Sequence, residues 1–299
     1  MTRIFIACIC IFCLFQWSCK NKIGGNDPIL NELETSFNTS PNEDNFNKLI
    51  NKYLEMIQSA PKGSDLSELF IKASNICSKM DKPDQEIVFI NNLVKNNPNH
   101  PNIKEYIFKM IQLLFKTERQ TTAEIMALCY VKAYPNDPKI AELSSKLPKI
   151  NNPEEYILEI GKSIFADTTT GFNEKNAMVY VDACEAYAMV LPKDAQTPEY
   201  IFKAAETSNT LKTYEKSFSL YDWIIDKYPT HERAPISLFM KGFLFDGTLK
   251  DSANASKYYT EFLTKYPNNS FAKDAELLKS NLGKSDEQVL DELMKKKAQ

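Results

Sequence analysis

The sequence predicts an all-α protein, a helical solenoid of repeated helix-turn-helix units. Six prolines, Pro61, Pro98, Pro135, Pro192, Pro229 and Pro267, stand 37, 37, 57, 37 and 38 residues apart. The stretch before each is apolar at the three-and-four spacing of one helix face, as with Phe46, Leu49, Ile50, Tyr53, Leu54 and Ile57 ahead of Pro61. One phrase is also written twice. LYDWIIDKYPTHE (Leu220 to Glu232) and YYTEFLTKYPNNS (Tyr258 to Ser270) both set apolar residues three and four places after a Tyr, then Lys-Tyr-Pro. Proline just past an amphipathic run ends the helix, because it has no N–H to donate and bars its predecessor from helical angles. A period of 37 or 38 then means stacked units of helix, turn, helix, turn, about six in all.

The chain opens with a targeting segment, 1–18, in which Arg3 precedes twelve apolar residues, Ile4 to Phe15. That run is too short to span a bilayer and suits a signal-peptide core. Ser18-Cys19 at its end resembles the lipobox of bacterial lipoproteins, which implies that Cys19 becomes the lipid-modified first residue of the mature chain. Gln16 stands where an aliphatic residue is usual, and an ordinary cleaved signal with an incidental Cys is the alternative. A tether, 19–30, follows; nine residues, Lys20 to Pro28, reach at most about 30 Å.

Units one to three take 31–147 and units four to six take 153–282. Between them Leu143 to Pro153 has two prolines and no period, which predicts the joint between two packed sub-arrays. The long interval holds an insertion of about twenty residues. It reads as a first helix over Pro153–Phe165, a loop carrying Asp167, Thr168, Thr169, Thr170 and Gly171, and a longer second helix. A last helix, 283–299, has Ser285 as N-cap and Lys295, Lys296 and Lys297 to complement its dipole.

The unit Leu238 to Pro267 resembles a tetratricopeptide repeat. Gly242 and Phe245 match its first helix, Ala255, Tyr259 and Phe262 its second, and Pro267 its terminal proline; the unit before keeps Ala204, Ser217, Tyr221 and Pro229. Phe262 and Ile224 stand where the family more often has Ala, and the period exceeds the usual 34. The long-period form looks like that of tetratricopeptide lipoproteins of bacterial envelopes, including the outer-membrane assembly lipoprotein. The resemblance implies a right-handed solenoid whose first helices line a concave surface that binds peptides or partner proteins. On that basis Ile201, Ala205, Ser208, Phe239, Phe243 and Asp246 face the partner. Trp223 is a further candidate, because it leaves the repeat's apolar phase and Glu261 takes its place in the other copy. It is either an interface anchor or packed against a neighbouring unit.

Other chemistry is sparse. The net charge is −3, or 35 − 39 = −4 once Arg3 leaves with the signal, so nothing favours nucleic acid or an anionic membrane face. Beyond the targeting segment Cys77, Cys129 and Cys184 are odd in number, far apart and set in apolar helical patterns, which reads as small buried hydrophobes. His100 and His231 each fall two residues after a repeat proline, on turns. There is no metal-ligand spacing, Walker loop, GxGxxG or GxSxG, so no cofactor and no metal are expected. The expectation is a non-catalytic, lipid-anchored scaffold or adaptor in the bacterial envelope, on the periplasmic side of the outer membrane. It would hold envelope proteins or peptides, with outer-membrane protein assembly as one instance. The rivals are a self-assembling helical array and a nutrient- or glycan-binding lipoprotein. Two or more solvent-facing aromatics in one cleft would favour the latter.

Overall fold

The computed structural model describes residues 27–166, 171–284 and 287–288, and among these the chain forms fourteen α-helices and no strand. Cys19, the targeting segment, Asp167 to Thr170 and most of the expected helix at 283–299 lie outside the described residues. Two compact units divide between Asn96 and Asn97. The first holds α1 (Pro28–Thr39), α2 (Glu43–Ser59), α3 (Ser67–Lys79) and α4 (Pro83–Asn96). The second holds α5 (Ile103–Lys116), α6 (Gln120–Ala133), α7 (Ile140–Leu143), α8 (Pro153–Ser163) and α9 (Glu174–Val190). It continues with α10 (Thr197–Thr210), α11 (Tyr214–Lys227), α12 (Arg233–Gly247), α13 (Ser252–Lys265) and α14 (Ala272–Asn281). Sequence neighbours pack as pairs: α1 on α2, α3 on α4, α5 on α6, α8 on α9, α10 on α11 and α12 on α13. The first helix begins inside the expected tether: Pro28 is its first residue, Asp27 caps it, and Leu30 is fully buried.

Two kinds of turn alternate. The helices α2, α4, α6, α9, α11 and α13 each end two residues before a repeat proline. From Pro98 onward the turn that follows is the same five times. The backbone N–H two residues after the proline (His100, Asp137, Asp194, His231, Asn269) donates to the carbonyl just before it, at 2.9–3.1 Å. The same residue's side chain accepts the N–H two places further on. His100 Nδ1 and His231 Nδ1 do so at 3.2 Å, Asp137 at 2.8 Å, Asp194 at 2.9 Å and Asn269 at 3.0 Å. These side chains satisfy donors that a starting helix leaves free. Both histidines are therefore turn acceptors, standing in for Asp and Asn.

Within a pair the turn is tighter. After α3, α5 and α10 the N–H of Lys82, Arg119 and Thr213 reaches back five residues to the carbonyls of Cys77, Leu114 and Ser208, each at 2.9 Å. Asp81, Glu118 and Lys212 take the left-handed conformation there, with φ of 49°, 58° and 59°. This is the Schellman arrangement, which more often uses glycine.

Identical turns keep the helix faces in register. The eighth residue before each proline is Tyr53, Ile90, Ala127, Cys184, Tyr221 or Tyr259, none more than 1% exposed. Cys77, Cys129 and Cys184 are free and buried; burial pushes the thiols of Cys77 and Cys184 up to about 12, which leaves them inert. Gly242 lets α12 approach α13 closely, since a Cβ there would stand 2.8 Å from the ring of Tyr259.

The expected joint at 143–153 does not divide the structure. A helix starts on schedule at Ile140, five residues after Pro135, but α7 stops within one turn, ahead of Pro148. The next full helix begins at Pro153, 18 residues after Pro135 where Ile103 is 5 after Pro98, an excess of thirteen. Ten residues rather than three then separate α8 from α9, against α10 from α11, which supplies the other seven. Despite this, α6 packs directly on α8 and α9. Lys132 of α6 pairs with Glu154 of α8 and, at 3.4 Å, with Asp194 beyond α9, while Tyr187 Oη donates to Glu154 at 2.6 Å. With this packing, α5 to α14 form one compact unit.

Replacing Gly242 by Ala gains helix propensity of up to about 1 kcal/mol but forces a buried ring to move, which costs about 1–3 kcal/mol. Chemical denaturation is expected to show Gly242→Ala less stable than wild type. Gly161→Ala, 3.1 Å from the half-buried Tyr180 ring, should come out neutral or more stable. Lys212→Gly should raise stability by up to about 1 kcal/mol by relieving a left-handed residue, and Lys212→Val should lower it. Equal melting temperatures for those two variants would refute the turn geometry.

Candidate functional site

The insertion leaves an open cleft of about 450 Å³ between α8, the segment leading to α9, and α10. That volume is in the range of pockets that take small ligands or peptide side chains. One wall is apolar: Leu158, Gly161, Ile164, Phe165 and Phe172. Ile157, Ile160 and Ile164 turn into the core, and Leu158, one position off that stripe, is left 56% exposed. Phe165 is 67% exposed, the most of any large hydrophobic side chain among the described residues, and its ring lies 5.7 Å from that of Phe172. The two rings stand at either end of the loop, and the N–H of Asn173 donates to the Ile164 carbonyl at 2.9 Å, holding the loop's ends together. Tyr180 of α9 lies against α8 where Gly161 has no side chain.

The opposite wall is polar and comes from one helix. Lys203, Glu206, Thr207 and Thr210 of α10 line it, and Lys162 of α8 stands on the rim. Partial desolvation pushes the Glu206 carboxyl up although its side chain reaches solvent, and the charges of Arg233 and Lys203 only partly offset this. The Lys203 and Lys162 side chains are exposed. A ligand with one apolar face and one charged face would match both walls.

Of the residues expected to face a partner, most are placed inside. Ile201, Ala205 and Ser208 are fully buried, and the Ala205 carbonyl accepts a bond from Ser217 Oγ of α11 at 2.9 Å. Phe239 is buried among Tyr259, Phe262 and Phe271, and Trp223 is buried as well. For Ile201, Ala205 and Ser208 the physical reason is one and the same. Residues at i, i+4 and i+7 form one stripe, and in a helix with neighbours on both sides the apolar stripe is the covered one. Asp246 is half-buried and accepts from Tyr259 Oη at 3.3 Å; Phe243 alone of the seven is exposed, at 44%. The cleft residues were missed because only their position around the loop unites them. The visible signal was a phenylalanine at each end of an otherwise hydrophilic segment.

Two other features are closed on themselves. A hollow of about 170 Å³ in the first unit is spanned by Glu34, which accepts from Tyr53 Oη at 2.7 Å and from Lys72 Nζ at 3.0 Å. The rings of Phe218, Phe245 and Tyr258 stack at 4.7 and 5.4 Å, with the buried Lys241 over Tyr258 and paired with Asp222. No group of three or more potential metal ligands gathers among the described residues, and none of their helices is long and apolar enough to cross a membrane. Comparison with protein-family models and with curated proteins finds no match to this chain.

Two carboxyls of the second unit titrate in opposite senses. Burial would raise the Glu154 carboxyl, but its bonds from Lys132 and Tyr187 outweigh that and hold it low. Its contribution is present above the ordinary carboxylate range and lost as pH falls through the lowered value. Glu154→Gln is expected to lose about 1–2 kcal/mol at pH 7, with the deficit closing below about pH 4. Asp182 on α9 is exposed, yet desolvation by its neighbours and the charge of Glu185 push it up to about 6, against Lys216 and Arg119, a shift that solvent partly screens. The folded state there holds its proton longer than the unfolded chain does, so ionisation destabilises. Asp182→Asn should raise the melting temperature at pH 8, with the gain vanishing as pH falls through 6 towards 4. Melts followed from pH 3.5 to 8 test both signs.

Proposed function

We propose that this chain is a non-catalytic interaction module of the bacterial envelope, anchored by lipid at Cys19 on the periplasmic side of the outer membrane. Its finer architecture, on this reading, is a right-handed solenoid of about six tetratricopeptide-like units. Its recognition point is the cleft of α8 to α10 and the partner is a peptide segment of another envelope protein. The observation that carries the reading is the exposed Phe165 against an apolar wall, in a region where the repeat has been interrupted. Large apolar side chains left in water beside a cleft are the usual anchors of recognition. The tether, at most about 30 Å long, would keep the chain at the membrane and raise its effective concentration there.

The Phe165–Phe172 pair also favours a second reading, a glycan- or nutrient-binding lipoprotein, because sugar rings stack on aromatic faces. The peptide reading leads because hydrogen-bonding groups gather on the α10 wall and the rim, whereas a sugar ring needs partners all round.

In-cell crosslinking and pull-down from membranes, with the full chain, separates the two. The native chain should capture a specific envelope protein, Phe165→Ala should lose that protein while still fractionating with membranes, and Cys19→Ala should move to the soluble fraction and capture less. Capture unchanged by Phe165→Ala would remove the cleft from the mechanism. No capture, with a melting-temperature rise of the native chain in maltoheptaose that Phe165→Ala abolishes, would establish the glycan reading.

A further inference from the structure

The two walls of the cleft say more about the occupant than that it is apolar. The α8 side offers Leu158, Phe165 and Phe172 as an apolar surface, with the Lys162 amine beside them. The α10 side and rim carry two cations and one acid: Lys203, Lys162 and Glu206. Glu206 is exposed on the same helix and interacts with Lys203, so the lining keeps two cations against one acid. Lys203 Nζ lies 5.8 Å from the centre of the Tyr200 ring, with its side chain exposed. The chain as a whole is negative, at −3, so this positive edge is a local departure from the protein's own charge.

Resting on the peptide reading of the cleft, we infer that its occupant is a short acidic amphipathic segment. It seats a large apolar side chain against Leu158, Phe165 and Phe172 and turns its carboxylates to Lys203 and Lys162. The apolar contact supplies most of the affinity, since it removes Phe165 from water. The charges supply direction and selection, because a basic segment of the same shape would bring cations against both lysines. The interaction is partly exposed and therefore salt-sensitive.

Fluorescence anisotropy on the full chain tests this with three labelled peptides of one length. All share a Phe-Leu core, flanked on both sides by Glu, by Gln or by Lys. At low salt the Glu peptide should bind about tenfold tighter than the Lys peptide, as two exposed ion pairs of up to about 1 kcal/mol each allow. The double reversal Lys162→Glu with Lys203→Glu should invert that order, and Phe165→Ala should weaken all three peptides alike. Both lysines are exposed, so the reversal leaves the fold intact, which a melting curve verifies. Binding that needs Phe165 but is blind to flanking charge would overturn the acidic occupant and leave the cleft as a peptide site. Binding of none of the peptides, or binding indifferent to Phe165→Ala, would overturn both.

Discussion

The second helix of each pair has to stop and its successor start within five to seven residues, and the turn that does so sets the helices around it. Proline provides the stop, because it offers no donor and pushes its predecessor out of helical angles. Tyr134, Leu191, Tyr228 and Tyr266 accordingly share nearly one conformation, with φ between −117° and −132° and ψ between 49° and 56°. The restart needs an acceptor for the next helix's free N–H groups. His100, Asp137, Asp194, His231 and Asn269 all meet that need, three residue types with one acceptor in the same place. Positions eight and five before the proline fall into the core each time. The fifth are Met56, Leu93, Tyr130, Tyr187, Ile224 and Phe262, all buried.

Where extra residues enter, that regularity cannot absorb them. A helix begins at Ile140 as the repeat demands and is cut short, and the remaining excess opens the turn between α8 and α9. The core pays for neither change, since α6 reaches across to α8 and α9 and the Lys132 clamp pairs its charges at the seam. Half-exposed ion pairs of this kind add little stability by themselves, and the packing of α6 on α8 and α9 carries the seam. The opened turn has a chemical consequence as well. A three-residue connection could not hold two phenylalanines apart from the core, whereas ten residues place Phe165 and Phe172 at a cleft mouth. The same insertion that interrupts the array thus creates its most distinctive surface.

Much of the local structure was legible in the primary chain. The stops at the six prolines, the small residue at Gly242 and the paired helices all depend on residues within a few turns of one another. Proline's missing donor and the 3.6-residue period act at that range whatever surrounds them. The left-handed turn residues Asp81, Glu118 and Lys212 were not legible. Glycine would have signalled them, and a charged side chain at positive φ leaves no mark in composition. The histidines were recognisable as turn residues, but their role as backbone acceptors needed the atoms.

What the sequence by itself determined, then, is where helices end, which ones pair, and which stripe of each is apolar. Only the tertiary structure decided which stripes are covered, where the chain divides and where a surface is left open. Ile201, Ala205 and Ser208 form a face that would serve a partner equally well in isolation, and it is α9 and α11 that close it. The break at Asn96 rather than at 143–153 follows from contacts of α6 with helices that begin twenty or more residues later. A helix specifies its own apolar direction through local geometry, whereas exposure belongs to the neighbours that folding brings against it, and no short window of sequence contains them.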